Sequence, residues 1–264
     1  MDLTNVYIGF ALATFAGLST GIGSLLGLYS KFENKRLLSL ALGFSAGVMI
    51  YVSFMELLLL SFESLSGIYG HTYGQLIGVT AFISGLLIML FIDQLFDHHS
   101  IADFISRSSN KEESLLIRTG VFSAIALAIH NFPEGFATFT AAVYDPAVGA
   151  TLAIAIAIHN IPEGLAVSVP IYYATKSKSK AFWISFASGL AEPLGALIGF
   201  LIFRTVYNEA LFGISFALCA GIMIYVSLNE LLPVAKEYGK PSDPIMGVTA
   251  GIIVMSISLI LMYA

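Results

Sequence analysis

Eight long apolar stretches constrain the fold of this chain more than any other feature. A helix crosses about 30 Å of hydrocarbon with about 20 residues, since each residue adds about 1.5 Å. The stretches that meet this length cover residues 6–29, 37–62, 75–96, 115–143, 148–173, 181–203, 211–235 and 245–263. Only 11% of the 264 residues are charged, against roughly 25% in a soluble domain. We therefore expect an all-α integral membrane protein, a single domain over residues 1–264 with eight transmembrane helices.

The basic residues predict the orientation of these helices. Eleven of the twelve fall in or beside the loops of one side: Lys31, Lys35, Arg36, Arg107, Lys111, Arg118, Lys176, Lys178, Lys180, Lys236 and Lys240. Arg204 is the exception. By the positive-inside rule these loops are cytoplasmic. We expect a multi-pass protein of the cytoplasmic membrane with both termini outside.

Segments near the two ends of the chain resemble each other. Residues 46–58 and 220–232 are identical at ten of thirteen positions. Two further pairs are residues 78–81 with 247–250 and, more weakly, residues 17–27 with 189–199.

These matches predict an internal repeat. Helices 1–3 (about 6–96) correspond to helices 6–8 (about 181–263), and helices 4 and 5 (about 115–173) correspond to each other. Corresponding helices are an odd number of crossings apart and therefore run in opposite directions. We expect a 3+2+3 inverted repeat, which is typical of secondary transporters.

One six-residue motif occurs in both central helices, as HNFPEG at residues 130–135 and HNIPEG at residues 159–164. The spacing of His, Asn and Glu by three or four residues puts them on one helical face. A short turn near Asp145 makes the helices a hairpin in which both motifs lie at overlapping depth. Ionisable groups in an apolar helix are costly and mark a functional site. The candidate metal ligands are therefore His130, Asn131, Glu134, His159, Asn160 and Glu163.

Proline and glycine inside the motifs support a polar pocket. Pro133 and Pro162 lack the N–H that would bond the preceding turn, so we expect kinks that free backbone carbonyls. Gly135 and Gly164 should allow neighbouring helices to approach closely. Glu192, in the sixth helix, should lie level with Glu163 and adds a third carboxylate.

Imidazole, carboxylate and amide oxygen without thiolate suit zinc, iron, manganese, cobalt and cadmium. We expect these ions as cargo and no bound cofactor. The sequence leaves open the number of ions, the driving force and a homodimer. The expected partners are the metal ion and the lipid bilayer, with no nucleic acid.

Other polar residues are weaker candidates for the metal pathway. Glu56 and Glu230 occupy equivalent repeat positions, and Met55 with Glu56 and Asn229 with Glu230 could line the two vestibules. The alternative is a Glu at a helix end in the headgroup layer. His98 and His99, with Asp97 and Asp103, lie in the longest cytoplasmic loop, where they could hold a departing ion or belong to a solvated loop.

The eight spans, outside termini and paired His-Asn-x-Pro-Glu-Gly motifs resemble the ZIP (Zrt-, Irt-like protein) family of metal transporters, in particular its bacterial zinc-uptake branch. The resemblance implies that the ligands are the six motif residues and Glu192, that metal moves into the cytoplasm, and that Met55 lines the entrance. The His-rich loop and second His-Glu motif of many animal members are missing here, so their regulation and strict zinc preference do not follow.

We therefore expect a carrier that takes up divalent metal by alternating access, and no enzyme activity. A competing interpretation is an intramembrane metallohydrolase, although zinc proteases use His-Glu-x-x-His with two His ligands and each motif here has one. The sequence is also compatible with a passive metal channel and with a metal sensor.

Overall fold

The computed structural model describes residues 2–29, 35–95, 111–205 and 208–263, and all regular structure in these ranges is helical. We number the helices α1 to α8 and use a and b for the two parts of an interrupted helix. They are α1 Leu3–Tyr29, α2a Lys35–Val52, α2b Leu58–Tyr69, α3 His71–Leu95, α4 Lys111–Tyr144, α5 Pro146–Thr175, α6a Lys178–Gly189, α6b Ala191–Thr205, α7a Glu209–Val226, α7b Leu232–Tyr238 and α8 Asp243–Tyr263.

Seven of these helices are long and apolar enough to cross a membrane: α1, α2, α3, α5, α6, α7 and α8. The eighth, α4, has 34 residues and carries the first motif. The expectation of an all-α, multi-pass protein is confirmed for the described part of the chain.

Two helices contain a π-helical turn that the sequence did not predict. The turns are Ser53–Leu57 in α2 and Ser227–Leu231 in α7, at equivalent positions of the repeat. In each, the first serine donates its hydroxyl to the carbonyl four residues earlier, at 2.7 Å. Such bonds compete with the backbone ladder and bend helices.

The sixth helix is interrupted at Leu190. Pro193 explains the break, because it has no N–H to donate to the carbonyl of Gly189. Pro133 and Pro162, by contrast, lie inside continuous helices.

The helices form two groups of four. Helices α1, α4, α5 and α6 pack together, as do α2, α3, α7 and α8, and the groups meet where α2 packs on α5 and α7 packs on α4. The contacts follow the sequence repeat. Helix α1 packs on α5 as α6 packs on α4, and α2 packs on α8 as α7 packs on α3.

Helices α4 and α5 form the hairpin that the sequence predicted. Asp145 alone separates them, and its Oδ1 accepts a hydrogen bond of 2.7 Å from the N–H of Ala147. Pro146 follows at the first helical position, where its fixed φ favours helix initiation. This tight connection holds the two motifs beside each other.

Candidate metal site

The two motifs meet at the centre of the bundle. His159 Nε2 lies 3.2 Å from Glu134 Oε1, and both side chains are completely buried. The predicted overlap in depth between the fourth and fifth helices is therefore confirmed. Burying a carboxylate or an imidazole away from water is costly unless the group is paired or binds a ligand. Here each of the two groups is the partner of the other.

Glu192 joins the same cluster from α6b. Its Oε1 accepts a hydrogen bond from Asn160 Nδ2 of the second motif. The predicted proximity of Glu192 to the second motif is confirmed, whereas metal binding by the three carboxylates stays a prediction.

Several buried oxygen atoms around this cluster have no hydrogen-bond partner among the described residues. They are Asn131 Oδ1, Glu134 Oε2, Asn160 Oδ1 and Glu192 Oε2. The amide nitrogens of both asparagines are used, because Asn131 Nδ2 donates to Ser188 O at 3.3 Å and Asn160 Nδ2 to Ala16 O at 3.0 Å. The oxygen of each amide is thus turned away from the backbone contact and is available as a ligand.

The candidate metal-ligand atoms of the described side chains lie in pairs and do not form one closed coordination shell. Within this set, no three His, Cys, Asp or Glu residues lie close enough together to hold a metal ion. The side chain of His130 lies outside the described part of the structure. The pairs present are His159 with Glu134 and Asn160 with Glu192.

Glycine lets the helices around the cluster approach to backbone contact. A Cβ at Gly135 would overlap the backbone of Glu192, and one at Gly164 would overlap the carbonyl of Thr20. The close approach predicted at both glycines is confirmed. It brings α6b against the first motif and α1 against the second.

Comparison with known proteins identifies the family. The family model described as ZIP Zinc transporter matches residues 105–259. The chain belongs to the ZIP family. It is 50% identical to the zinc transporter ZupT of Chlorobium chlorochromatii (strain CaD3), with 97% of this chain and 98% of the relative covered. The zinc transporters ZupT of Oceanobacillus iheyensis and Streptococcus mutans serotype c are 46% and 48% identical, over 98% and 97% of this chain and 100% and 98% of theirs.

Two residues beside the motifs of this ZIP-family chain were missed by sequence reasoning. Ser45 Oγ donates to Glu163 Oε1 at 3.1 Å and lies 3.3 Å from His159 O. Cys219, its equivalent in the repeat, is buried and donates its thiol to Pro133 O at 3.4 Å. Both directly precede the matched segments 46–58 and 220–232, which was the available signal.

The pathway candidates of this ZIP-family chain lie apart from the central cluster. Glu56 is buried inside the π turn of α2, next to the exposed Met55, so it is not a residue of the helix end. Asn229, in the π turn of α7, donates to Asp93 Oδ2 at 3.2 Å, and Glu230 beside it is half-buried. His98 and His99, with Asp97 and Asp103, lie outside the described residues.

Proposed function

We propose that this chain is a membrane carrier that takes up divalent transition-metal ions, zinc above all, into the cytoplasm. The proposed ligands are His130, Asn131, Glu134, His159, Asn160, Glu163 and Glu192. Membership of the ZIP family and near full-length similarity to several zinc transporters support this function.

The observation that carries the proposal is the buried contact between His159 and Glu134. It joins the two copies of the motif inside the bundle, with Glu192 and Asn160 beside it. The imidazole and carboxylate donors match zinc, and also iron, manganese, cobalt and cadmium. The incomplete shell suits a cargo site, since a transported ion has to leave again.

The proposed mechanism is alternating access between the two groups of four helices. The metal ion exchanges water for the ligands on α4, α5 and α6 and leaves when this group shifts against α2, α3, α7 and α8. The ligands must be deprotonated to bind metal, so protonation favours release.

The proposed membrane arrangement has eight crossings, α4 included, in a cytoplasmic membrane, with an inverted repeat and both termini outside. Met55 and Glu56 would line the outer vestibule, and Asn229 and Glu230 the inner one. His98 and His99 would take up the departing ion or sense it.

Zinc uptake into proteoliposomes tests the proposal. We expect Glu134→Gln and Glu163→Gln to lower uptake at least tenfold, because loss of a residue that merely supports a metal ligand already costs about 10–100-fold. The measurement is radioactive zinc accumulation at several external concentrations, with purified protein of wild-type elution profile.

Glu63→Gln is the matched control, because Glu63 is exposed in α2b, far from the cluster along the chain. It should transport as wild type. Wild-type uptake by both motif variants would refute the site. Zinc flux that does not saturate and is not stimulated by zinc inside the vesicles would indicate a channel instead of a carrier.

A further inference from the structure

The two asparagines of the motifs make equivalent contacts with α1 and α6. Asn160 Nδ2 donates to the carbonyl of Ala16, and Asn131 Nδ2 donates to the carbonyl of Ser188. The sequence repeat that aligns Gly17 with Gly189 also aligns Ala16 with Ser188. Helix α1 therefore stands against α5 as α6 stands against α4.

The motif glycines extend this equivalence to the residue that corresponds to Glu192. Gly135 lies against the backbone of Glu192, and Gly164 lies against the carbonyl of Thr20. The same alignment pairs Thr20 with Glu192. Thr20 thus occupies, on α1, the position that the third carboxylate occupies on α6.

The side chain of Thr20 lies between α1 and α6, where a Cβ at Gly189 would be 3.1 Å from its Oγ1. Its side chain packs against Gly189, next to the Ser188 carbonyl that Asn131 binds. Thr20 is completely buried, and its Oγ1 has no hydrogen-bond partner among the described residues, as is true of Asn131 Oδ1. A buried polar atom without a partner is destabilising, and a ligand of the Thr20 hydroxyl would remove that cost.

We propose that Thr20 is a further residue of the metal site. Thr20 and Asn131 form a pair of uncharged oxygen groups, which the repeat makes equivalent to the charged pair Asn160 and Glu192. The Thr20 hydroxyl binds a water ligand of the divalent cation. This inference rests on the proposed function. An ion that keeps some of its water needs such neutral oxygen partners.

The first test compares Thr20→Val, Thr20→Ser and Ser24→Ala by calorimetric zinc titration of the purified full-length protein. Thr20→Val keeps the shape and removes the hydroxyl, so we expect the Kd for zinc to rise about tenfold. Thr20→Ser should bind as wild type. Ser24→Ala is the control, because the Ser24 hydroxyl is already bonded to Ser185 Oγ, at 2.6 Å, one turn further along α1. An unchanged Kd in Thr20→Val would overturn the inference.

The second test moves the carboxylate from position 192 on α6 to the equivalent position 20 on α1. We expect Glu192→Thr to lose zinc binding and the double variant Thr20→Glu with Glu192→Thr to recover most of it. Ser24→Glu with Glu192→Thr should recover none.

The outcomes separate the two proposals. Wild-type binding by Glu192→Thr would refute the assignment of Glu192 in the proposed function. If Glu192→Thr loses zinc binding and the correctly folded double variant does not recover it, the role of Thr20 is refuted and the proposed function is not. If the double variant does not elute as folded protein, the Thr20→Val titration decides.

Discussion

At the scale of residues, the two copies of the motif have different surroundings. Glu134 is in contact with His159 of the other motif, whereas Glu163 accepts a hydrogen bond from Ser45 of α2. Ser45 belongs to the other group of four helices. Glu134 is therefore contacted by a residue of its own group of four helices, and Glu163 by a residue of the other group.

This difference makes Ser45 a positioning residue with a measurable effect. We expect Ser45→Ala to lower kcat/KM for zinc uptake about tenfold, because a ligand that loses its hydrogen-bonded support binds metal less well. Initial rates in proteoliposomes over a range of zinc concentrations measure this, and Ser45→Thr should restore part of the loss.

Ser53→Ala is the matched control for this prediction. The Ser53 hydroxyl is buried too, but among the described residues it bonds only the Met49 carbonyl of its own helix, at 2.7 Å. Equal losses in both variants would mean that the Ser45 contact has no special role.

At the scale of elements, glycine decides how closely the helices around the site approach. Gly135 and Gly164 meet the backbones of α6b and α1. Glu134 and Glu163, two of the proposed metal ligands, lie on the same helix turns, so the helix spacing sets the distance between these carboxylates and the neighbouring helices.

Adding a methyl group at this contact should therefore destabilise the protein. We expect Gly135→Ala to lose about 1–3 kcal/mol, the usual cost of overpacking, and to lower the Tm by about 3 °C or more. Thermal unfolding in detergent, followed by size-exclusion elution, measures the shift.

Gly67→Ala is the control at this scale, because a Cβ at Gly67 in α2b meets no atom within 4 Å. Its Tm should stay unchanged or rise slightly, since alanine is favoured over glycine in helices. A Gly135→Ala variant as stable as Gly67→Ala would contradict the close contact.

At the scale of the whole molecule, the two groups of four helices follow the sequence repeat. The paired π turns and the equivalent contacts of α1 and α6 agree with that repeat. The opposite direction of the paired helices across the membrane stays a prediction.

Cysteine labelling in intact cells tests the orientation. We expect a membrane-impermeant maleimide to label Asp2→Cys directly and Lys240→Cys only after permeabilisation, because the basic loops are retained in the cytoplasm. The wild type is the control, since Cys219 is the chain's one cysteine and is buried. The reverse pattern would invert the proposed topology.

The sequence predicted the all-helical fold and the contact between the two motifs. The apolar runs predict membrane helices because a helix of about 20 apolar residues is stable in the hydrocarbon core however it packs against other helices. The close approach at Gly135 and Gly164 and the proximity of Glu192 to the motifs were also predictable, from residue size and from depth along the helices.

Only the tertiary structure decided which side chains on different helices are hydrogen-bonded to each other. Ser45, Cys219 and Thr20 are small residues in apolar runs, and the residues they contact lie far away along the chain. The two π turns likewise depend on how each backbone carbonyl is satisfied. Hydrogen bonds require atoms within about 3.5 Å, and spacing along one helix cannot specify such distances between helices.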